Sequence, residues 1–366
     1  MPFQGRDTGQ GEIGMAAVTD FVLQFLRDLG IALVIGGVPI LGRRWVTHQG
    51  RLSFLGIGLH PHQLWKSTSV RIFLSSIVVR SDLSVAPTTA CVSIHRGFSG
   101  LAITESEYGI AVEFARRIDA TALPLGREQS EPPWLRPFGH IVCPIEPAPA
   151  PGWAPPPPAT NPVGPESRRP VRVYFNRDRG LQERVRGHFD VPGTVLAIGS
   201  PIYNAMTAYV LEHCNSEFQF IKETRKQPND DRYYIRGVRV RDPHGVQLRS
   251  CDFMRPDDHH SSLSHEDDES AHDEYFVVEK FTDPAGRHGT IFVCAGLGTA
   301  ATAAAVRFLA NWGPLARHFG NHDFAVLRSL RIETAEERDT ARDLSLDNTE
   351  GIWAYDKVAR TPVTLS

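Results

Sequence analysis

Two glycine-containing turns follow apolar runs and lead into segments of helical character. The first turn is IGSPIYN, residues 198–204, and the second is AGLGTAAT, residues 295–302. Glycine lets a ligand approach the backbone closely, and the free N–H groups at the start of a helix favour an anion. The pattern predicts a pocket for phosphate or ribose oxygens, with these candidate ligand-binding residues: Gly199, Ser200, Pro201, Asn204, Gly296, Gly298, Thr299 and Thr302.

The second turn matches the relaxed dinucleotide-binding fingerprint only in part. Residues 296–301 read GLGTAA, and alanine is permitted at the third glycine position of that fingerprint. An acidic residue should end the next strand about 20 positions later, but Asp323 begins the next predicted strand instead. Two interpretations therefore remain open: a turn that binds a ligand, and a tight turn with no ligand.

The elements that must position these turns form an α/β pattern. A strand at 169–175, a helix at 178–189 and a strand at 193–201 predict a βαβ unit with parallel strands. Further elements are predicted in this order: a helix at 202–214, a strand at 216–221, an antiparallel hairpin around the PHG of 243–245, a hairpin of strands 274–281 and 289–296, a helix at 299–312 and a strand at 323–332. Residues 166–332 are therefore expected to form a Rossmann-like ligand-binding domain with a mostly parallel sheet plus an antiparallel hairpin.

A proline-rich segment, PIEPAPAPGWAPPPPATNPVGP at 144–165, predicts a division of the chain. Each proline removes a backbone donor and fixes φ, so such a run is typical of a semi-rigid linker. Residues 1–143 are then expected to form a mixed α+β domain, with a helix at 15–30, strands at 31–35, 69–79 and 89–94, and a helix at 105–118. Residues 333–366 are expected to form a C-terminal charged helix and a tail.

Composition limits the classes of function. The 366 residues are 41% hydrophobic and 22% charged, as is typical of a soluble globular protein, and a net charge of −3 argues against a nucleic-acid partner. The five cysteines form no CxxC pair, which indicates free thiols in a reducing compartment. The most apolar stretch, 21–41, contains Arg27 and Asp28 and is too interrupted for the roughly 20 apolar residues of a membrane span. We expect a cytoplasmic protein with no membrane partner.

A second low-complexity stretch, RPDDHHSSLSHEDDESAHDE at 255–274, is acidic and rich in histidine. Its side chains could bind Zn²⁺ or Ni²⁺, but a metal site needs ligands fixed on rigid elements. A serine-rich segment predicts a solvated loop instead. We therefore expect no metal site there.

The segments VLAIGSPIYNAMTAYVL and IFVCAGLGTAATAAAVRFLAN carry a resemblance. Residues 169–332 resemble the Rossmann-like domains of uncharacterised bacterial proteins, whose layout is similar to the SLOG and TIR nucleotide-sensing folds of prokaryotic immune systems. The resemblance implies a nucleotide-like ligand and places Gly199, Ser200, Pro201, Asn204, Gly296, Gly298 and Thr299 in its pocket. It identifies no catalytic residue, because a TIR NADase needs a glutamate in the pocket and neither turn contains one.

The segment GFSGLAITESEYGIAVEFARRIDATA, residues 97–122, is similar to a degenerate Nudix helix. Its glutamates are Glu105, Glu107 and Glu113, and that family holds Mg²⁺ through a glutamate-rich helix. The sequence departs from the family where paired glutamates should follow, since it has Arg116 and Arg117 there. The resemblance therefore implies binding without hydrolysis, and a plain amphipathic helix is the competing interpretation.

Three functions remain open. The first is a sensor or regulatory protein that binds a nucleotide-like small molecule. The second is a hydrolase acting on a nucleotide or an NAD-type substrate, with Glu212, His213, Lys222 or Arg225 near enough in sequence to contribute. The third is a protein-interaction scaffold whose pocket is filled by Tyr203 or Leu297. The sequence names no cofactor, and the tail either packs on the sheet or meets another subunit of a homo-oligomer.

Overall fold

The structure of the protein is a computed structural model. It describes residues 38–56, 68–78, 92–93, 101–124, 141–149, 168–170, 179–190, 193–224, 231–237, 252–254, 272–282, 289–333 and 346–365. The chain divides into two compact units, Met1–Arg51 and Leu52–Ser366. The sheet and the sites below belong to the second unit.

Six helices and sixteen strands are found in the described residues. The helices are α1 (Val38–Phe54), α2 (Glu105–Arg117), α3 (Arg179–Phe189), α4 (Ala205–His213), α5 (Thr299–Ala310) and α6 (Trp312–Phe319). The strands are β1 (Thr68–Leu74), β2 (Ile77–Val78), β3 (Val92–Ser93), β4 (Leu101–Thr104), β5 (Thr121–Pro124), β6 (Ile141–Pro147), β7 (Arg168–Pro170), β8 (Thr194–Ile198), β9 (Phe218–Thr224), β10 (Asp231–Gly237), β11 (Asp252–Met254), β12 (His272–Thr282), β13 (Thr290–Gly296), β14 (Phe324–Ile332), β15 (Thr349–Asp356) and β16 (Thr361–Pro362).

The described strands form one large sheet and two smaller ones. The large sheet has nine strands in the order β16-β15-β14-β12-β13-β8-β1-β6-β5. Its five strands from β13 to β5 run parallel, and the strands from β12 to β16 extend it antiparallel. A four-stranded antiparallel sheet has the order β11-β10-β9-β7, and a three-stranded sheet has the order β2-β4-β3. The expected mixed α/β content and large, mostly parallel sheet are confirmed.

Both faces of the large sheet are covered. Leu196 and Ile198 of β8 pack into a core with helices α2, α5 and α6, whereas Val195 and Ala197 pack into a core with α3, α4 and the four-stranded sheet. This two-sided burial explains why β8 and β13 are buried along their whole length and, after the first threonine of each, carry no alternating polar residues. The result is a three-layer arrangement around the central parallel strands.

Strands on either side of the proline-rich segment belong to the same sheet. In β1, Ile72 pairs with Ile145 of β6 on one side and with Leu196 of β8 on the other. Strand β6 also runs into the expected linker, since Pro144 pairs with Leu123 of β5. The two-domain division with a linker at 144–165 is therefore not confirmed, because the regions expected to form separate domains are joined through β1. Residues 150–165 lie outside the described residues.

Two further expectations need correction. The strand expected at 169–175 is β7, which pairs antiparallel with β9 in the four-stranded sheet, so it does not form a parallel βαβ unit with β8. The hairpin of β10 and β11 also joins that smaller sheet, whereas the expected hairpin of β12 and β13 lies in the large sheet. Pairing of distant strands is decided by their buried faces, which local patterns do not reveal.

The tail of the chain extends the large sheet. Strand β15 pairs antiparallel with β14, with Trp353 opposite Leu327, and β16 pairs with β15. Packing of the tail on its own sheet is therefore observed, while the charged helix expected after residue 333 falls largely outside the described residues. The same holds for the helix expected at 15–30 and for most of the loop expected at 255–274, whose last residues begin β12.

No helix among the described residues is long and apolar enough to cross a membrane.

Candidate functional site

The two glycine-containing turns lie side by side. Each follows one of the neighbouring parallel strands β8 and β13, where Ile198 pairs with Cys294. The N–H of Gly199 donates to the carbonyl oxygen of Cys294 at 2.9 Å, which joins the ends of the two strands. The turns therefore share the carboxyl edge of the parallel strands, as the sequence predicted.

The order of the parallel strands reverses between β1 and β8. The chain continues from β1 through α2 to β5 on one side, whereas from β8 it continues through α4 on the opposite face and later reaches β13 on the other side. Such a reversal leaves a crevice outside the carboxyl ends of the two strands, which is where open α/β sheets bind ligands. The candidate site is therefore the junction of β1, β8 and the start of α2.

Asn204 connects the elements of this junction and has little capacity left for a ligand. Its Oδ1 accepts from the N–H groups of Met206 and Thr207 at the start of α4, at 2.9 and 3.2 Å. Its Nδ2 donates to the carbonyl oxygens of Phe73 at 2.9 Å and Ile198 at 2.7 Å. Both donors and both usual acceptor positions of the amide are thus occupied. We assign Asn204 to holding β1, β8 and α4 together.

The residues at the start of α5 are also used by the fold. The hydroxyl of Thr302 donates to the carbonyl oxygen of Gly298 at 2.9 Å and accepts from the N–H of Gly296 at 3.2 Å. A Cβ on Gly296 would lie 2.5 Å from the nitrogen of Thr302 and 2.6 Å from the Cβ of Ala301. Gly296 therefore allows β13 and α5 to approach each other, and Thr302 closes the turn between them.

A buried carboxylate already occupies the N-terminus of α5. Glu274 of β12 is 0% exposed, and its Oε2 accepts from the N–H of Ala301 at 3.2 Å. A Cβ on Gly298 would lie 2.5 Å from both carboxylate oxygens of Glu274. The internal carboxylate fulfils the role that a ligand phosphate would have at a helix N-terminus. Residue 298 is therefore a glycine because a side chain there would overlap with the carboxylate of Glu274, a contact that the sequence did not reveal.

The remaining predicted residues of the two turns differ in their exposure. Ser200 is partly exposed, and its Oγ accepts from the N–H of Ile202 at 3.2 Å. Pro201 is buried, whereas Thr299 is exposed at the start of α5. Tyr203 is 55% exposed, so its side chain does not fill a buried pocket. Ser200 and Thr299 therefore remain accessible candidates for ligand contact.

Gly199 brings the first turn close to an ionisable group. Its φ of +115° lies in a region that side chains rarely adopt, and it is buried. A Cβ on Gly199 would lie 2.0 Å from the Oγ of Ser75 and 3.2 Å from the Oε1 of Glu107. Ser75 follows β1 directly and Glu107 lies in the first turn of α2. Three separate segments of the chain therefore meet at this point.

The environment of Glu107 favours its neutral form. Burial raises the pKa of this carboxyl to about 7, and the polar groups of the neighbouring Ser75 offset part of that effect. The second oxygen, Oε2, is buried and has no hydrogen-bond partner among the described residues. A carboxyl group in this state can accept or donate a hydrogen bond, or exchange a proton, near neutral pH.

The start of α2 determines the position of Glu107. Thr104 is the N-cap residue, and its Oγ1 accepts from the N–H of Glu107 at 3.3 Å. The sequence Thr104-Glu-Ser-Glu107 fits a capping box, in which the glutamate would turn back to the N-cap backbone. Its carboxyl instead lies near Ser75 and Gly199.

Glu107 was not predicted as a partner of the first turn. The one signal was the Nudix-like interpretation, which named this residue together with Glu113 for a different reason. In the structure the two glutamates have different surroundings. Glu107 lies beside Gly199, whereas Glu113 forms ion pairs with Arg117 and Arg307 at 2.8 and 2.9 Å. The Nudix-like arrangement itself stays a prediction.

The ionisable residues named beside the first turn lie elsewhere. Glu212 and His213 end α4, at the opposite edge of the sheet from the turn that begins this helix. Arg225 and the side chain of Lys222 lie outside the described residues. Within the described ranges, no group of three His, Cys, Asp or Glu side chains is arranged to hold a metal ion.

Comparisons with protein-family models, with curated proteins and with solved structures found no match to this chain. The Rossmann-like and Nudix-like resemblances therefore stay predictions from the sequence.

Proposed function

We propose that this protein binds a nucleotide-like small molecule at the carboxyl edge of its parallel strands, between the ends of β1 and β8, as a sensor or regulatory protein. The single observation that carries the proposal is the buried Oε2 atom of Glu107. It has no hydrogen-bond partner among the described residues, and the other oxygen of the same carboxyl, Oε1, lies beside Gly199 where the strand order reverses. A buried carboxylate oxygen without a partner is costly to the fold, and a bound donor would remove that cost.

The chemistry of this position favours a hydrogen-bond donor as the contacting part of the ligand. A carboxylate accepts from the hydroxyl groups of a ribose or from the N–H groups of a base. Ser200, which is partly exposed in the adjacent turn, supplies a hydroxyl for further polar contact. The N-terminus of α5 holds Glu274 already, so we do not place a phosphate group there.

Hydrolysis of such a molecule is a second candidate function. It is favoured by the titration of Glu107 near neutral pH, because a general acid or base works best with a pKa close to the operating pH. In this variant of the proposal Glu107 exchanges a proton with the reacting group or with water. The scaffold interpretation stays a prediction, and the observation that favours it is the second turn, which Gly296 and Thr302 close without a ligand.

The full chain, titrated with nucleosides, nucleotides, NAD, ADP-ribose and cyclic dinucleotides in a calorimeter, tests binding. The Glu107→Gln variant should lose at least tenfold in affinity for any ligand found, since a hydrogen bond to a charged group is worth about 1.5–3 kcal/mol. Chromatography of the same mixtures after incubation tests hydrolysis. A ligand that is bound but recovered unchanged would support the sensor function and exclude turnover of that ligand.

A further inference from the structure

A second cavity lies at the opposite edge of the large sheet. It has a volume of about 540 Å³ and is lined by His213, Cys214, Asn215, Glu217, Phe281, Thr282, Asp323, Tyr355, Lys357 and Arg360. Thr282 ends β12 opposite Thr290, the first residue of β13, so this edge is the one at which the parallel strands begin. A cavity of this size suits a small molecule. It is independent of the site at Glu107.

A buried ion pair forms the floor of this cavity. The Nζ of Lys357 lies 2.6 Å from the Oε2 of Glu279, which is fully buried, and 3.7 Å from the centre of the Phe281 ring. The other oxygen of Glu279 accepts from the hydroxyl of Ser216 at 2.5 Å. Because Lys357 and Glu279 neutralise each other, neither supplies an uncompensated charge to a ligand.

The wall that carries Arg360 is held by a capped turn. Asp356 accepts from the N–H groups of Val358 and Ala359 at 2.9 and 2.7 Å, and the N–H of Lys357 donates to the carbonyl oxygen of Asp323 at 2.9 Å. The turn 356–360 is therefore tied to the start of β14. Binding at this wall would require little ordering of the backbone, which favours affinity.

The remaining charges of the lining have both signs and come from different walls. Asp323 is a carboxylate directly before β14 whose oxygens accept from the N–H and the hydroxyl of Thr282, both at 2.9 Å, and the C-terminal end of α4 adds the negative end of its dipole. Arg360 is exposed on the turn after β15 and supplies the positive charge. A ligand with one charge alone would meet a like charge somewhere in the cavity, whereas a ligand with both charges can satisfy both walls.

We propose that this cavity binds a free amino acid or a similar small zwitterion. The ammonium group lies toward Asp323, and the carboxylate group lies toward Arg360. The ring of Tyr355, which is partly exposed, gives the rest of the ligand an apolar surface. The protein would then respond to an amino-acid-like molecule at one edge of the sheet, whatever the ligand at the other edge.

The test uses the full chain, calorimetry, and the standard free amino acids together with their N-acetylated and amidated forms. We expect at least one free amino acid to bind, and we expect neither its N-acetyl derivative nor its amide to bind with comparable affinity, because each lacks one charge. Absence of binding by every free amino acid would overturn the proposal. Equal binding of a free amino acid and its N-acetyl derivative would overturn it as well.

Matched variants locate the binding. Arg360→Gln should weaken the affinity about tenfold, as expected for loss of a charge-assisted hydrogen bond. Arg317→Gln removes another exposed arginine, on α6 and outside the lining, and should leave the affinity unchanged. Equal affinities of the two variants would contradict the assignment to this cavity. Glu107→Gln should retain amino-acid binding, so failure at one site is distinguishable from failure at the other.

Discussion

The Oε1 atom of Glu107 lies 3.2 Å from the point that a Cβ on Gly199 would occupy. This closeness places a carboxyl group of α2 at the end of β8, where the order of the parallel strands reverses. The absence of a side chain at residue 199 is what leaves room for the carboxyl and for the hydroxyl of Ser75. The site is therefore built by tertiary packing of three segments, and its central group titrates near neutral pH.

Glu107→Gln should stabilise the fold above neutral pH. The folded-state pKa of Glu107 is raised from 4.5 to about 7, so its favourable contribution is present below pH 4.5 and is lost as the pH rises through 7. At pH 8 the variant should have a free energy of unfolding roughly 2–3 kcal/mol above that of the wild type, because each pKa unit corresponds to about 1.4 kcal/mol. Urea unfolding from pH 4.5 to 8 measures the difference.

Glu105→Gln is the matched control for this experiment. Glu105 lies in the same turn of α2 but is exposed, so its replacement should change stability by less than about 0.5 kcal/mol at any pH in the range. A Glu107→Gln variant that is less stable than the wild type at pH 8 would contradict a buried carboxyl that is costly when charged.

Gly199→Ala should destabilise the protein by about 2–4 kcal/mol. The new Cβ would adopt a φ of +115° and lie 2.0 Å from the Oγ of Ser75. The double variant Ser75→Ala, Gly199→Ala should recover part of this loss, because it removes the clash but retains the strained φ. Gly187→Ala on α3 has no atom within 4 Å of its new Cβ and should be neutral or stabilising. Equal effects at residues 199 and 187 would refute the packing described here.

Glu274→Gln should destabilise the protein by about 1–2 kcal/mol, because it removes the charge at the N-terminus of α5. Asp273→Asn changes the neighbouring acidic residue, whose ion pair with Arg331 at 3.4 Å is about half exposed, and should change stability by less than about 0.5 kcal/mol. Thermal or urea unfolding of both variants at neutral pH provides the comparison. If the two effects were equal, Glu274 would have no special role at the helix.

Lys280→Met should raise the free energy of unfolding at pH 7. It should also remove the increase in stability that the wild type shows as the pH rises above 8. Lys280 is 2% exposed, and burial lowers its pKa to about 8, although Nζ donates to the carbonyl oxygen of Asn321 at 3.1 Å. Between pH 8 and 10.5 the unfolded state binds more protons, so this group makes stability rise with pH. We expect a gain of roughly 2–3 kcal/mol at pH 7, declining toward pH 10.5. A loss of stability at pH 7 would contradict this.

Lys357→Met provides a contrast with the opposite sign. Its removal leaves the fully buried carboxylate of Glu279 without its cation, and breaking a buried pair in this way typically costs 3–5 kcal/mol. The free energy of unfolding at pH 7 should therefore be highest for Lys280→Met, intermediate for the wild type and lowest for Lys357→Met.

Local patterns predicted the elements with clear periodicity and punctuation. Helix α2, the hairpin of β12 and β13, and the turn into α5 were found close to their predicted bounds. Helix α1 was missed because two glycines and Pro39 precede or begin it, although a proline is tolerated in the first helical turn. The division of the chain at the proline-rich segment is not confirmed, since composition reports on local conformation and not on whether strands pair across it. Only the pairing of β1 with β8 reveals the common sheet.

The sequence predicted the two turns of the candidate site but not the carboxyl group that lies beside them. The two turns and their common edge followed from the pattern of apolar runs and helices. The roles of Asn204 and Thr302 did not, because a cap and a ligand donor have the same sequence signature. Glu107 could not be assigned, since its pKa depends on burial and on Ser75, which follows β1 in a distant part of the sequence.

Calorimetric titration of the full chain with the nucleotide panel, for wild type, Glu107→Gln and Glu105→Gln, tests the central claim most directly. We expect the wild type and Glu105→Gln to bind a common ligand with equal affinity, and Glu107→Gln to bind it at least tenfold more weakly while being the more stable protein at pH 8. Binding that is unaffected by Glu107→Gln, or no binding by any member of the panel, would contradict a ligand site between β1 and β8.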